Sequence, residues 1–203
     1  MRHVLFAIAT SLIPACSGDN AGDECEPRHA TNDKDEPLVS DEAWRAIADA
    51  EDRVEVGGAN APLLIVPEED QAFPSAGTPP VFTWELPATA IRTRPPLRSR
   101  FAALIGRVGR WIEPIGVARA HGNPTTGDVF VALVPGVPDG GCPISFVTTG
   151  TAWALSEAEW SVLAETGSTF ELRLTHAYMT ENVILAGDGP FRASADRRFS
   201  VEP

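Results

Sequence analysis

Apolar and polar residues follow three different rhythms along this chain. Behind Arg2, Val4 to Ile13 form an uncharged, mostly apolar run of ten residues. A bilayer-spanning helix takes ~20 residues, so the run is too short to cross and suits the core of a signal peptide instead, over residues 1–15. Residues 17–39 then hold seven acids and two bases with almost no large apolar side chain. Such a stretch buries too little surface to offset its ordering entropy and predicts a solvated, disordered acidic tether, 16–39. It does not fit a calcium-binding loop, because neither Asp19–Glu24 nor Asn32–Glu36 matches the D-x-[DN]-x-[DN]-G-x5-E spacing.

A helical period follows. Ser40 is a capping residue, Asp41 and Glu42 suit the first turn, and Trp44, Ile47 and Ala48 recur on one face. This predicts a short helix over 41–53, ended by Gly57-Gly58, with 40–61 as helix and linker. From Pro62 the rhythm is that of short strands between Pro and Gly punctuation: Leu63–Pro67, Pro80–Leu86, Val129–Val134, Ile144–Thr148, Phe170–Thr175, Asn182–Ala186 and Arg198–Val201. Phe170, Leu172 and Leu174 alternate with Glu171 and Arg173, as in a half-buried strand. Ser156-x-x-Glu159 is a capping box opening a helical turn through Leu163, with Trp160 facing inward. Short strands with frequent turns and no regular βα alternation predict a mainly β chain, an antiparallel β-sandwich over 62–203.

Residues 88–122 break that rhythm. Seven Arg (92, 94, 98, 100, 107, 110, 119) face one acid, Glu113, a surplus of six positive charges in a chain of net charge −12. Leu97, Phe101, Leu104, Ile105, Val108, Trp111 and Ile112 fall on one helical stripe, with Arg98, Arg107 and Arg110 mostly away from it. An inserted amphipathic helix is expected. Packing on the sandwich is the expected use of the stripe. The functional alternative is an interface at Arg98, Arg107, Arg110 and Trp111 with an anionic membrane or an acidic partner.

Composition narrows the function. The 203 residues are 43% hydrophobic and 22% charged, which is globular, and the acidic balance disfavours binding to phosphate backbones, so no nucleic-acid partner is expected. Beyond Cys16 the chain has Cys25 and Cys142, which either pair in an oxidising compartment or remain two thiols.

Ile13-Pro14-Ala15-Cys16, after Arg2 and the apolar run, resembles the bacterial lipobox, with Pro14 departing from the residues usual there. The resemblance implies lipidation of Cys16 and a lipid-anchored protein of the bacterial cell envelope. Ser17, where an Asp would favour inner-membrane retention, makes the outer membrane the expected address. From residue 62 on, PPVFTWEL, GDVFVALVPG, the turn before Trp153 and Trp160, STFELRLTHAY and the closing Phe199-Ser200-Val201 resemble fibronectin type III and Ig-like modules in their order. Trp84 takes the core position of that pattern. Phe170 stands where a Tyr is common, so a tyrosine corner is not expected there.

Candidate chemistry is sparse. There is no G-x-S-x-G, H-E-x-x-H, C-x-x-C or Walker loop, and the single Lys, Lys34, lies in the acidic stretch. Convergence of Glu68, His121 and His176 on a metal would indicate an envelope enzyme; each reads more simply as surface or turn chemistry, with His176 placed just past a strand. The expectation is no catalytic residue, no metal and no cofactor. What remains is a non-catalytic binding or spacer domain whose partner is an envelope protein or polysaccharide, or a purely structural envelope component.

Overall fold

The computed structural model describes residues 25–88, 124–135, 142–166 and 169–202. Cys16, the insertion residues Arg98, Arg107, Arg110 and Trp111, and His121 lie outside them. The described chain is mainly β, with largely antiparallel sheets and two α-helices.

In chain order the elements are β1 (Arg28–His29), α1 (Asp41–Ala48), a 3-10 turn (Glu51–Arg53), β2 (Glu55–Val56), β3 (Leu63–Val66), β4 (Gln71–Pro74), β5 (Val81–Glu85), β6 (Gly127–Val134), β7 (Ile144–Thr148), β8 (Ala152–Ala154), α2 (Glu157–Thr166), β9 (Thr169–Thr180), β10 (Val183–Ile184), β11 (Phe191–Arg192) and β12 (Arg197–Glu202). The large sheet runs β1-β7-β6-β9-β11-β2, with β12 on β9 and β4 on β12; the small sheet runs β3-β5-β8. Most pairings are antiparallel, whereas β1 on β7, β2 on β11 and β4 on β12 are parallel. The chain changes sheets between β3 and β4.

Alternation along β6 explains the layering. Phe130, Ala132 and Val134 turn inward and meet Leu64, Phe82, Trp84 and Trp153 of the small sheet, together with Leu172, Leu174 and Phe199. Phe199 packs against Phe82, Phe170 and Phe73, with ring centroids at 5.1, 5.6 and 6.1 Å. On the opposite face, Val129, Val147, Ala177 and Met179 are covered by Val39, Ala43 and Ile47. Residues 40–61 therefore pack as part of the same body, and the boundary drawn at residue 62 has no counterpart in the packing.

Several expected elements change length. The helix predicted over 41–53 stops at Ala48 and resumes as the 3-10 turn; Ser40 Oγ accepts from the Ala43 N–H at 3.3 Å, as its capping role requires. The strand expected to end at Thr175 continues to Thr180, paired with β6 as far as Met179. The strand predicted at Asn182–Ala186 is reduced to Val183–Ile184, because Glu181 and Asn182, at φ of 51° and 67°, make the hairpin turn.

Residues 25–39 depart furthest from the tether expected over 16–39. Arg28 and His29 pair with Phe146 and Val147. The Asn32 side chain accepts the N–H groups of Lys34 and Glu36, closing a turn that brings Thr31 against Pro37. The acids do face water, but Pro27 and Val39 are buried between them. Two anchoring apolar residues and a strand's worth of hydrogen bonds hold the segment despite its composition.

Candidate functional site

Three features carry chemistry in the described residues, and all touch the large sheet. The first is a disulfide: Cys25 and Cys142 are joined, with Cα atoms 5.4 Å apart across 117 residues of sequence. It fastens the start of the described chain to the residues just before β7. Next to it, Arg28 donates to Glu159 at 2.9 Å and to the Ala154 carbonyl at 2.8 Å, and its guanidinium lies 4.6 Å from the Phe146 ring centre. Covalent and polar ties thus converge where β1 meets β7.

The second feature is His176. It sits inside β9, 3% exposed, between the rings of Phe130 and Phe191 at 4.9 and 6.3 Å. Its placement just past the strand is corrected by the length of β9. Nε2 is 2.9 Å from Asp128 Oδ1 across the β6–β9 ladder, while Nδ1 is buried with no hydrogen-bond partner. An ionised carboxylate only accepts, so Nε2 carries the proton and donates to Asp128. Trp84, packed on the other side of Phe130 at 5.7 Å, also buries an unpartnered Nε1. His176 thus has the orienting carboxylate of an acid–base pair, but aromatic rings flank it on both faces.

The third feature is a groove of about 260 Å³ between α1 and the outer face of the large sheet. Its origin is a mismatch of lengths. An eight-residue helix is about 12 Å long, whereas the eight residues of β6 extend over roughly 26 Å. The helix therefore covers the row of Val129 and Ala177 and only part of the next, in which Val147 is fully buried and Val131 partly. Left beside it is the row formed by Ser145, Leu133 and Arg173, which are neighbours in register across β7, β6 and β9, with Val131 and Thr175 in the next row. Trp44, Ile47, Ala48 and Glu51 make one wall, and Cys25, Pro27 and Pro143 the other. Arg173 reaches Asp196 through Nε at 3.1 Å.

The acidic turn at Glu68, Glu69 and Asp70 is exposed and serves structure. Asp70 adopts φ 58°, and Arg198 lies 3.1 Å from Glu69 and 3.3 Å from Asp70. The hydrogen bond to Glu69, then the charge of Asp70, hold the Arg198 guanidinium above its ordinary pKa. Glu68 hydrogen-bonds locally, its N–H donating to the Gln71 side chain. Among the described residues, no three His, Cys, Asp or Glu side chains gather as a metal site would require, and no helix is long and apolar enough to cross a membrane.

The groove and the Asp128 partner of His176 escaped sequence reasoning. Asp128 lies 48 residues before His176, and only strand register brings them together. Compared with protein-family models, with curated proteins and with solved structures, the chain matches none.

Proposed function

We propose that this chain is a lipid-anchored protein of the bacterial cell envelope whose β-sandwich is a non-catalytic binding domain. The observation that carries the reading is the order of Arg2, the apolar run Val4 to Ile13, and Ile13-Pro14-Ala15-Cys16. The Cys25–Cys142 disulfide supports it, because structural disulfides persist in oxidising compartments. Cys16 carries the lipid and, with Ser17 after it, favours the outer membrane over the inner.

The sandwich is of the Ig and fibronectin type III kind. Supporting this, β3 pairs with β5 in one sheet, after which the chain crosses over and β4 pairs in parallel with β12 in the other. A first strand split between both sheets suits that architecture, as does the order β7-β6-β9-β12 opposite β3-β5-β8.

The folding of residues 25–39 shortens the spacer. Only residues 17–24 separate Cys16 from Cys25, and at 3.3–3.6 Å per residue they reach about 30 Å at most. The domain therefore works close to the membrane, which favours binding over spacing.

Mass spectrometry of the mature N-terminus tests the anchor. A diacylglyceryl-modified Cys16 is expected, and Cys16→Ser should move the protein from the membrane to the soluble fraction. An unmodified Cys16 in the mature protein overturns the reading.

A further inference from the structure

We infer that the groove beside α1 binds a small amphiphile of the fatty-acid type, its acyl chain along Val131, Leu133 and Trp44 and its carboxylate at Arg173. The inference rests on reading the sandwich as a binding domain; it does not depend on lipidation of Cys16.

The floor supplies the first argument. Strand alternation sends Val131 and Leu133 out of the main core, yet α1 is too short to reach Leu133 and covers Val131 only in part. Both remain partly exposed on a face that the same sheet buries fully at Val129, one row beyond Val131 and two beyond Leu133. Pro27 and Pro143 are apolar and rigid, Ile47 is buried, and Trp44 presents its ring along the opposite wall. An apolar chain laid there takes Val131 and Leu133 out of water at about 25 cal/mol per Å² covered.

Charge supplies the second argument. Arg173 is placed mid-sheet, beside Leu133 on β6, with Asp196, the residue just before β12, on the other side of β9. Its Nε is engaged by Asp196, which fixes the guanidinium, whereas among the described residues no acceptor is hydrogen-bonded to its two terminal nitrogens. A guanidinium anchored at one edge and open at the other is preorganised for an incoming carboxylate. Thr175 lies two residues further along the same strand, and Ser145 lies across Leu133 in the same row, so both add hydroxyls to the groove lining. On the rim, Glu51 is paired with Arg192, which offsets its charge. A pocket with apolar walls and a few converging polar groups is the ordinary form of a small-ligand site.

The test uses the purified full chain carrying Cys16→Ser, titrated by calorimetry with decanoate, decan-1-ol and decyltrimethylammonium below their micelle thresholds. One decanoate per chain is expected to bind, with decanol at least about tenfold weaker and the ammonium weaker still. Arg173→Gln should cost decanoate about tenfold or more and leave decanol unchanged, while Arg173→Lys should restore part of the loss. Ala48→Trp, which fills the groove from an exposed helix position, should abolish binding of both. Circular dichroism on each variant confirms that the fold persists. Equal affinity for the three probes, absence of decanoate binding, or indifference to both Arg173→Gln and Ala48→Trp overturns the inference. Because Cys16 is absent from every arm, failure here leaves the anchor reading to its own test.

Discussion

Arg28 and Glu159, 131 residues apart, meet at 2.9 Å, and the same carboxylate caps a helix. One Glu159 oxygen accepts from Arg28; the other accepts from the Ser156 N–H at 2.6 Å, while the Glu159 N–H donates to Ser156 Oγ at 3.2 Å. The capping box read from Ser156-x-x-Glu159 thus fastens β1 to α2 as well as starting the helix. Glu159→Ala should cost ~1–2 kcal/mol in urea denaturation, mostly from the lost cap. Glu159→Gln keeps an acceptor for Ser156 and should cost less than ~1 kcal/mol, the worth of a partly exposed ion pair. Equal losses for the two would refute this division.

Phe199 is the point where four strands' aromatic residues meet. Phe199→Ala opens a cavity among Phe73, Phe82 and Phe170 and should lower stability by ~3–5 kcal/mol. Phe199→Leu, which retains most of the volume, should lose distinctly less in the same denaturation series.

Joining Cys25 to Cys142 closes a long loop in the unfolded chain. Replacing both by Ser should destabilise the domain by roughly 2–5 kcal/mol, and a reducing agent should lower the melting temperature of the native protein but not of the double variant.

His176 and Asp128 should respond unequally. Asp128→Ala leaves the imidazole buried with neither nitrogen paired, at a cost of ~1–3 kcal/mol. His176→Phe removes the buried polar atoms and keeps a ring between Phe130 and Phe191, while Asp128, with a side chain 44% exposed, turns to water. That variant should stay within about 1 kcal/mol of the parent. A larger loss for His176→Phe than for Asp128→Ala would show that the imidazole itself holds the strands together.

Local signals were legible wherever burial follows a simple period. Val81–Glu85 and Ile144–Thr148 emerge because each short apolar run is bounded by turn residues, and α2 emerges because its cap is encoded locally. Strands β4 and β8 escaped notice for physical reasons. Gln71–Pro74 contains a proline and survives at a sheet edge through parallel pairing with β12, and Ala152–Ala154 is three residues defined by the partner strand β5. The far half of β9 was missed because Thr175, His176 and Ala177 are buried in succession on both faces, which erases alternation. The groove was illegible for a related reason: its walls come from residues 25–51 and Pro143, its floor from Val131, Leu133, Ser145 and Thr175, and its guanidinium from Arg173, so only strand register assembles it.

The disulfide also fixes where a mechanical load would travel. Tension arriving at Cys25 from the preceding residues passes through sulfur to Cys142 and on toward β7, a strand hydrogen-bonded on both sides. The intervening stretch, including α1, β3 and β5, forms a closed ring outside that path. Tugging at the N-terminal side therefore cannot peel the first half of the domain away strand by strand. The load falls instead on β7 and its pairing with β6, where register runs from Ile144 to Thr148.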